Sequence, residues 1–164
     1  IFRMQHQGIR RNGQSMALNE GSCRFRLWHV HVYWSERCIH ACRFSREPLP
    51  GQVPLEIQRY CAGYVEDLKG VSSIALDPEY PFSAIYRKVR EIPYGSNETY
   101  GTIAKILDTS PRVVGLAMKR NPTPLVIPCH RVVSRDGPGG FTPDPEIKIA
   151  LLAMEQKNAR GLSR

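Results

Sequence analysis

The first half of the chain alternates apolar and polar positions, and two stretches of it predict a β-hairpin. Residues 24–34, RFRLWHVHVYW, alternate with period two, which predicts a strand with apolar side chains on both faces. Residues 37–45 follow after a short turn and complete an antiparallel pair. Residues 1–23 are polar and rich in Gly and Arg, and they predict an irregular start. Residues 54–70 predict a helix with these side chains inward: Leu55, Ile57, Tyr60, Cys61, Tyr64, Val65 and Leu68.

From residue 82 onward the apolar positions recur at helical spacing. Ser110 is the predicted N-cap of one helix, and Pro111 fits its first position. This helix and the one before it are joined by Asp-Thr-Ser, a spacing typical of a helix-turn-helix. Four helices are predicted, within residues 82–95, 99–107, 108–122 and 144–157.

These elements predict an α/β fold in two parts. Residues 1–80 form a small N-terminal α/β domain, an antiparallel sheet with a helix, which supports the rest. Residues 81–164 form a mostly helical C-terminal domain that contains the helix-turn-helix and the chemistry. The extended segment 71–81 lies at the boundary.

Composition and charge favour an anionic partner. The chain has 164 residues, 41% of them hydrophobic, with a formal charge of +8 and a pI of about 9.5. Residues 84–142 hold nine Lys or Arg against four Asp or Glu, so part of this charge surrounds the predicted helix-turn-helix. The alternative is an ordinary solvated helix face. No apolar run has membrane-spanning length and no secretory signal is evident, so we expect a cytoplasmic protein, or a nuclear one in a eukaryote.

Cys129 and His130 stand side by side after a proline. Only a thiolate is a good nucleophile, and a neighbouring histidine can accept the thiol proton directly or through water. In an extended chain adjacent side chains point in opposite directions, so such contact requires a turn or a bridging water. Glu155 on the last helix is a candidate to orient the histidine. For an isolated pair, an inert buried thiol is the alternative.

The longer string NPTPLVIPCHRVV, residues 121–133, resembles the active-site signature of the O6-alkylguanine-DNA alkyltransferases, also called methylated-DNA–protein-cysteine methyltransferases. The resemblance includes TYGTIA, SPRVVGLAMKRNP and GGFTPDPEIKIALLAMEQ and covers residues 82–156. It implies direct-reversal DNA repair, in which Cys129 takes the alkyl group from O6-alkylguanine irreversibly and each molecule acts once. It implies no metal and no diffusible cofactor.

The resemblance also implies roles for individual residues. His130 resembles the family's water-mediated base, and Glu155 the carboxylate that orients it. Asn121 resembles the hinge between the DNA-reading helix and the active-site strand. Tyr100 resembles the tyrosine that helps rotate the nucleotide and contacts the base, and Arg112 the arginine that fills the gap left by the flipped nucleotide.

The partner that the resemblance implies is double-stranded DNA, read in the minor groove with little sequence preference. Gly115 would let the helix approach closely, because it carries no side chain. Lys119, Arg120 and Arg131 are further basic candidates, although Arg131 is equally a candidate for a structural ion pair. We expect a monomer and no membrane partner.

An alkylguanine pocket is expected beside Cys129. Phe141 stands where many members of the family carry tyrosine, so the aromatic wall is kept and a hydroxyl is lost. The backbone N–H groups of Phe141 and Thr142 would donate to the guanine oxygen. The full set of expected pocket residues is Met118, Pro124, Val132, Phe141 and Thr142, each of which has packing as its alternative.

Four more cysteines, Cys23, Cys38, Cys42 and Cys61, leave three alternatives: a structural zinc, a disulfide or plain packing. Their ligand pattern does not match the family residue by residue, and we expect packing.

Two rival functions differ in testable ways. A Cys-His thiol hydrolase would turn over repeatedly but leaves the helix-turn-helix and the basic surface unexplained. A DNA-binding regulator without chemistry would tolerate Cys129→Ala and would prefer particular sequences.

Overall fold

The first half of the chain forms an antiparallel sheet and one short helix. A computed structural model describes residues 7–9 and 15–162. A two-stranded ribbon pairs β1, Gln7–Ile9, with β2, Ser15–Ala17. The main sheet has four strands, β3 Asn19–Phe25, β4 Trp28–Ser35, β5 Cys38–Ser45 and β6 Ser72–Ser73. They lie in the order β3-β4-β5-β6, with the first two pairings antiparallel and the last parallel. The helix α1, Leu55–Cys61, follows β5.

The predicted strand 24–34 is two strands. The chain reverses at Arg26, whose φ is +53°, and Leu27 at the tip is 69% exposed. Alternation continues on both sides of the turn, so the period-two pattern does not mark it. The hairpin between residues 24–34 and 37–45 is confirmed for its β4 and β5 parts. The predicted irregular start is wrong for residues 7–9, which form β1, and for residues 15–23, which hold β2 and the start of β3. Residues 1–6 and 10–14 lie outside the described residues.

The predicted helix 54–70 is less than half as long as expected. The helix ends at Cys61, and Gly63 follows with a φ of +96°, a left-handed conformation that glycine adopts at little cost. The remaining segment is irregular. Four of the seven predicted inward side chains are buried, namely Ile57, Tyr60, Cys61 and Leu68, whereas the exposed ones are Leu55, Tyr64 and Val65.

The second half is mostly helical, as predicted. Ser110 caps the helix α4, Pro111–Lys119, because its hydroxyl accepts a hydrogen bond from the Val113 N–H, and Pro111 occupies the first turn. Both of these predictions are confirmed. The preceding helix α3, Tyr100–Ile106, packs against α4 and completes the helix-turn-helix. The elements of this half, in chain order, are α2 Ser83–Arg90, β7 Glu98–Thr99, α3 Tyr100–Ile106, α4 Pro111–Lys119, β8 Val132–Val133 and α5 Pro145–Leu162.

Two apolar cores lie side by side, and the first draws on both halves of the chain. It joins the inner face of the sheet and α1 to Leu125, Val126, Ile147 and Leu151 of the second half. The second core is built from α2, α3 and α4 together with Ile127, Cys129 and Val132. The segment around Cys129 therefore lies where the two cores meet, and burial on both sides holds it in place. The division at residue 80 stays a prediction.

The five cysteines are free thiols in this structure. Cys42 and Cys61 are buried in the first core, and Cys23 packs against it. Within the described residues, no group of three or more His, Cys, Asp or Glu side chains is arranged to hold a metal ion. None of the helices in the described part of the chain has the length and apolar character needed to cross a membrane.

Candidate active site

A tight loop, residues 121–128, leads from α4 to Cys129. Asn121 closes the loop on itself, because its Nδ2 donates to the Ile127 carbonyl at 2.8 Å and its Oδ1 accepts from the Thr123 N–H at 3.0 Å. Leu125 adopts a positive φ of +76° inside this loop. The backbone N–H of Cys129 donates to the Ile127 carbonyl at 2.7 Å. Asn121 therefore determines the shape of the loop that positions the thiol.

Cys129, His130 and Arg131 form a single 3-10 turn. The turn separates the directions of their side chains by about 120° per residue, unlike the opposite directions of an extended strand. Cys129 is 7% exposed and His130 is completely buried. The backbone turn that contact between thiol and imidazole would require is therefore present.

A carboxylate on α5 holds the imidazole. His130 Nε2 lies 2.6 Å from Oε2 of Glu155. An ionised carboxylate only accepts hydrogen bonds, so Nε2 must carry the proton. In the neutral ring Nδ1 is then the acceptor, and within the described residues this buried atom has no hydrogen-bond partner. The proton-accepting nitrogen of His130 is thus Nδ1.

Arg131 holds the same carboxylate and does not reach the surface. Its Nε donates to Oε1 of Glu155 at 2.8 Å, its Nη2 donates to Oε2 at 3.0 Å, and its Nη1 donates to the Ile92 carbonyl at 2.8 Å. The side chain is buried. The prediction that Arg131 contacts DNA is therefore wrong. The alternative, that Arg131 forms a structural ion pair, is confirmed.

Two more donors complete the surroundings of Glu155. The hydroxyl of Tyr60, on α1, donates to Oε2 at 2.5 Å, and the Gly95 N–H donates to Oε1 at 3.1 Å. Burial alone raises the pKa of the Glu155 carboxyl, but the hydrogen bonds from His130 and Arg131 and the positive charge of Arg131 outweigh burial and hold that pKa well below its usual range. Glu155 is therefore ionised at neutral pH although it is buried.

Burial keeps His130 neutral. It lowers the pKa of the imidazole, and the hydrogen bond and charge of Glu155 offset this only in part. A neutral imidazole is the form that can accept a proton. Burial also raises the pKa of the Cys129 thiol, while a hydrogen bond from the Asn121 side chain and the charge of Lys148 act in the opposite direction. The resting pair is a thiol beside a neutral base.

Lys148 is a buried cation close to the thiol. Its Nζ donates to the Val132 carbonyl at 2.5 Å and to the Tyr100 hydroxyl at 3.4 Å. Burial lowers its pKa to about 8, and the negative charge that Cys129 carries when ionised opposes this shift. A thiolate at Cys129 would therefore gain a positive neighbour.

A cavity of about 360 Å³ opens at Cys129. Its size falls within the range of small-molecule pockets, about 300–1,000 Å³. It lies between α4 and the loop before α5, and it has a polar edge formed by Tyr100, Asn121 and Lys119. The remaining lining residues are Gly115, Met118, Pro124, Cys129, Gly140, Phe141 and Thr142.

Comparison with known proteins decides the family. The family described as "6-O-methylguanine DNA methyltransferase, DNA binding domain" matches residues 81–157. A methylated-DNA–protein-cysteine methyltransferase from Thermococcus gammatolerans is 35% identical over 157 residues, which is 94% of this chain and 86% of that protein. The chain belongs to this family. The predicted family and the predicted enzyme class, methylated-DNA–protein-cysteine methyltransferase, are confirmed.

Further members and solved structures agree. The protein of the same name from Methanopyrus kandleri is 42% identical over 100 residues, covering 61% of this chain and 76% of that protein. The O6-methylguanine-DNA methyltransferase of Pyrococcus kodakaraensis KOD1 superposes with a TM-score of 0.64 at 28% identity, over 84% of this chain and 98% of that one. The Mycobacterium tuberculosis O6-methylguanine methyltransferase, at 22% identity, has a TM-score of 0.71 over 90% of this chain and 99% of that chain. The predicted α/β fold class is confirmed.

For this methyltransferase the structure gathers most of the predicted site residues around one cavity. Cys129, Asn121, Tyr100, Gly115 and Lys119 all line it. The predicted pocket residues Met118, Pro124, Phe141 and Thr142 do so as well. Val132 does not, because it is fully buried in the second core and only its carbonyl takes part, as the acceptor for Lys148. The prediction that Val132 lines the pocket is therefore wrong.

The basic residues of α4 and of its C-terminal end are exposed to solvent. Arg112, Lys119 and Arg120 are exposed, and Gly115 lies between them with space around it. An added Cβ at Gly115 would meet no heavy atom within 4 Å. The protein's own packing therefore does not demand glycine at this position.

Sequence reasoning missed Tyr60 and Lys148 as parts of the site. Tyr60 lies 95 positions from Glu155 in the chain. Its place in the apolar stripe of a predicted helix indicates that it is buried in the core, but not that it contacts the site. Lys148 lies seven residues before Glu155, two turns along the same helix face, and this spacing could have indicated that it also faces inward. Phe141 has a link that the sequence does not show, because its ring packs edge-on against Phe44 of β5 at 5.6 Å between centroids.

Proposed function

We propose that this protein transfers an alkyl group from O6-alkylguanine in DNA to Cys129, in a single irreversible turnover. One observation carries the proposal. The Cys129 thiol lines a cavity large enough for a nucleobase, and the next residue, His130, is buried and neutral. Its Nε2 is held by the ionised carboxylate of Glu155. Membership of the methyltransferase family supports the same chemistry.

The first step is the activation of the thiol. Nδ1 of His130 takes the Cys129 proton, through a water molecule in the family's manner, and the imidazolium is stabilised by Glu155. Lys148 stabilises the thiolate by its charge. Because burial disfavours both ions separately, the pair forms most readily when substrate is in place to receive the sulfur.

The second step is displacement at the alkyl carbon. The sulfur–carbon bond forms as the carbon–oxygen bond breaks, and the electron pair of the broken bond goes to the guanine, which takes up a proton. The backbone N–H groups of Phe141 and Thr142 and the hydroxyl of Tyr100 are the donors we assign to the developing charge. The product is a thioether, which has no activated carbonyl for water to attack, so the protein is not regenerated.

Double-stranded DNA is the proposed partner, bound through α4 in the minor groove. The target carbon is unreachable in a stacked duplex, so the nucleotide must leave the helix and enter the cavity. Arg112 would fill the gap, and Lys119 and Arg120 would contact phosphates with little regard to sequence. The exposed basic face of α4 beside the cavity supports this arrangement. We expect a monomer in the cytoplasm or, in a eukaryote, the nucleus.

Stoichiometry tests the proposal. The intact mass of the protein is measured after incubation with an excess of duplex carrying one O6-methylguanine, together with the amount of repaired base. We expect every molecule to gain one methylene unit and the amount of repaired guanine to equal the amount of protein. Repair beyond one equivalent without a mass change would indicate a thiol enzyme that turns over, and tight binding without a mass change would indicate a binding protein.

Arg112→Ala should slow transfer from duplex DNA by about tenfold or more, because the extruded nucleotide loses the side chain that replaces it in the stack. Transfer from O6-alkylguanine as a free base needs no extrusion and should keep its rate. Lys119→Ala, which removes the same charge from the same helix, is the control and should weaken binding without this selective loss. Equal rate losses for duplex and free base would contradict the role of Arg112. Single-turnover kinetics on both substrates provide the measurement.

Gly115→Ala should stabilise the protein and weaken DNA binding. The new Cβ meets nothing within the protein, and alanine in a helix is favoured over glycine by about 0.5–1 kcal/mol. On the DNA side the methyl group would obstruct close approach, and we expect about a tenfold rise in Kd. Gly161→Ala on α5 is the matched control, because an added Cβ there also meets nothing. An unchanged Kd for Gly115→Ala would exclude a close backbone approach.

A further inference from the structure

The buried carboxylate of Glu155 binds a group from the first half of the chain. Its Oε2 accepts hydrogen bonds from Tyr60 at 2.5 Å, from His130 at 2.6 Å and from Arg131 at 3.0 Å. Tyr60 is fully buried, and its hydroxyl oxygen lies 3.2 Å from His130 Nε2. Since the Nε2 proton goes to Glu155, the tyrosine can donate only to the same carboxylate oxygen.

We propose that Tyr60 is a positioning residue for alkyl transfer, whose hydroxyl fixes the Glu155 carboxylate and limits how strongly that carboxylate attracts the His130 proton. This inference rests on the proposed function, because it assigns His130 as the base. Tyr60 is not among the residues that line the cavity at Cys129, and it acts through Glu155. The site of the second half is therefore incomplete without α1.

The electrostatic reason is competition for one oxygen. A hydrogen bond to an ionised acceptor is strong, and each donor draws negative charge away from the others. Tyr60 and Arg131 therefore reduce the charge that Glu155 offers to the imidazolium. Among the described residues, Lys148 of α5 is the other charged group that acts on His130, and Cys129 is its neighbour in the chain. Removing the Tyr60 hydroxyl leaves all of these in place and changes one donor.

The phenol itself stays protonated. Burial and the negative charge of Glu155 raise the pKa of Tyr60 well above its usual value, so it is a donor throughout the pH range in which the histidine titrates. The ring is held by an edge-on contact with Tyr94 at 6.0 Å between centroids. Tyr60→Phe therefore removes the donor while the aromatic packing is kept.

The experiment measures single-turnover methyl transfer from O6-methylguanine duplex as a function of pH, from about pH 5 to pH 9. In Tyr60→Phe the carboxylate attracts the His130 proton more strongly, so a higher pH is needed to free the base. We expect the midpoint of the acidic limb to rise by about 0.5 to 1 unit. The plateau rate should fall about tenfold, because the carboxylate and the ring are less well held.

Tyr86→Phe is the matched control. Tyr86 is as deeply buried as Tyr60, and its hydroxyl donates to the Ala117 carbonyl at 2.8 Å instead of to Glu155. Both variants lose a buried hydrogen bond and some stability. Only Tyr60→Phe should move the midpoint. An unmoved midpoint in both variants would overturn the proposal and leave Tyr60 a purely structural residue.

A second variant keeps the proposal testable if Tyr60→Phe does not fold. Site-specific 3-fluorotyrosine at position 60 keeps the hydroxyl and makes it a stronger donor, so the midpoint should move downward. A shift upward or none would overturn the proposal. The wild-type protein is assayed in parallel for methylation of Cys129 by mass. If the wild type is not methylated, the proposed function fails. If it is methylated and the variants do not shift, only the role of Tyr60 fails.

Discussion

Cys129→Ala should gain no mass from duplex DNA that carries O6-methylguanine, while the wild-type protein gains one methylene unit per molecule. The variant lacks the only atom that we assign as alkyl acceptor, and the neutral His130 beside it has no thiol to deprotonate. The expected loss of transfer is therefore complete rather than partial. Intact-mass spectrometry checks the result, and a DNA-binding assay on the same sample shows that the variant still recognises the duplex.

Cys42→Ala is the control for this variant. Cys42 is as buried as Cys129, at 6% against 7% exposed, but it lies in the first core on β5. Burial raises the pKa of its thiol well above the usual value, and the charge of Cys23 adds to this rise, whereas at Cys129 the charge of Lys148 acts in the opposite direction. We expect Cys42→Ala to transfer normally. A methyl group found on Cys42, or on Cys129→Ala protein at any residue, would contradict the assignment of the acceptor.

Glu155→Ala should lower the free energy of unfolding by about 3 to 5 kcal/mol, the usual cost of removing one partner of a buried ion pair. Arg131 would be left buried without its counter-ion, and His130 and Tyr60 would each lose a hydrogen bond. Urea unfolding followed by circular dichroism measures the effect. Alkyl transfer should fall as well, because nothing then holds Nε2 of His130 protonated and Nδ1 free to accept.

Glu91→Ala is the matched control. Glu91 also pairs with a cation, Lys88 at 3.0 Å, but both side chains are accessible to solvent, and such a pair contributes about 0–1 kcal/mol. A loss of stability for Glu155→Ala no larger than that for Glu91→Ala would contradict the buried network.

The pH dependence of the free energy of unfolding gives a second check. Folding lowers the pKa of Glu155, so its ionised carboxylate contributes fully to the free energy of unfolding above the unfolded pKa of about 4.3. This contribution is lost progressively as the pH falls from that value through the folded pKa.

Local signals along the sequence predicted local structure well. Ser110 and Pro111 define the start of α4 because a side-chain cap and a fixed φ act within one helical turn. The apolar stripe of α2, with Ile85 and Val89, is buried as its spacing predicts. The turn at Arg26 and the early end of α1 at Cys61 were missed. In both places the apolar pattern continues past the break, so periodicity alone does not mark it. The break is local in each case, a tight turn between Phe25 and Trp28 and a left-handed Gly63 just after the end of α1.

The sequence by itself determined the family and the helix that carries the basic residues, and it predicted the reactive cysteine. Each of these depends on residues close together in the chain, PCHRV above all. Only the tertiary structure decided that Arg131 pairs with Glu155, that Val132 packs in the core, and that Tyr60 contacts the same carboxylate from 95 positions away. A sequence records which groups are charged or apolar. Burial, which makes the loss of one ion-pair partner costly and shifts a pKa, arises only when the two cores close around the site.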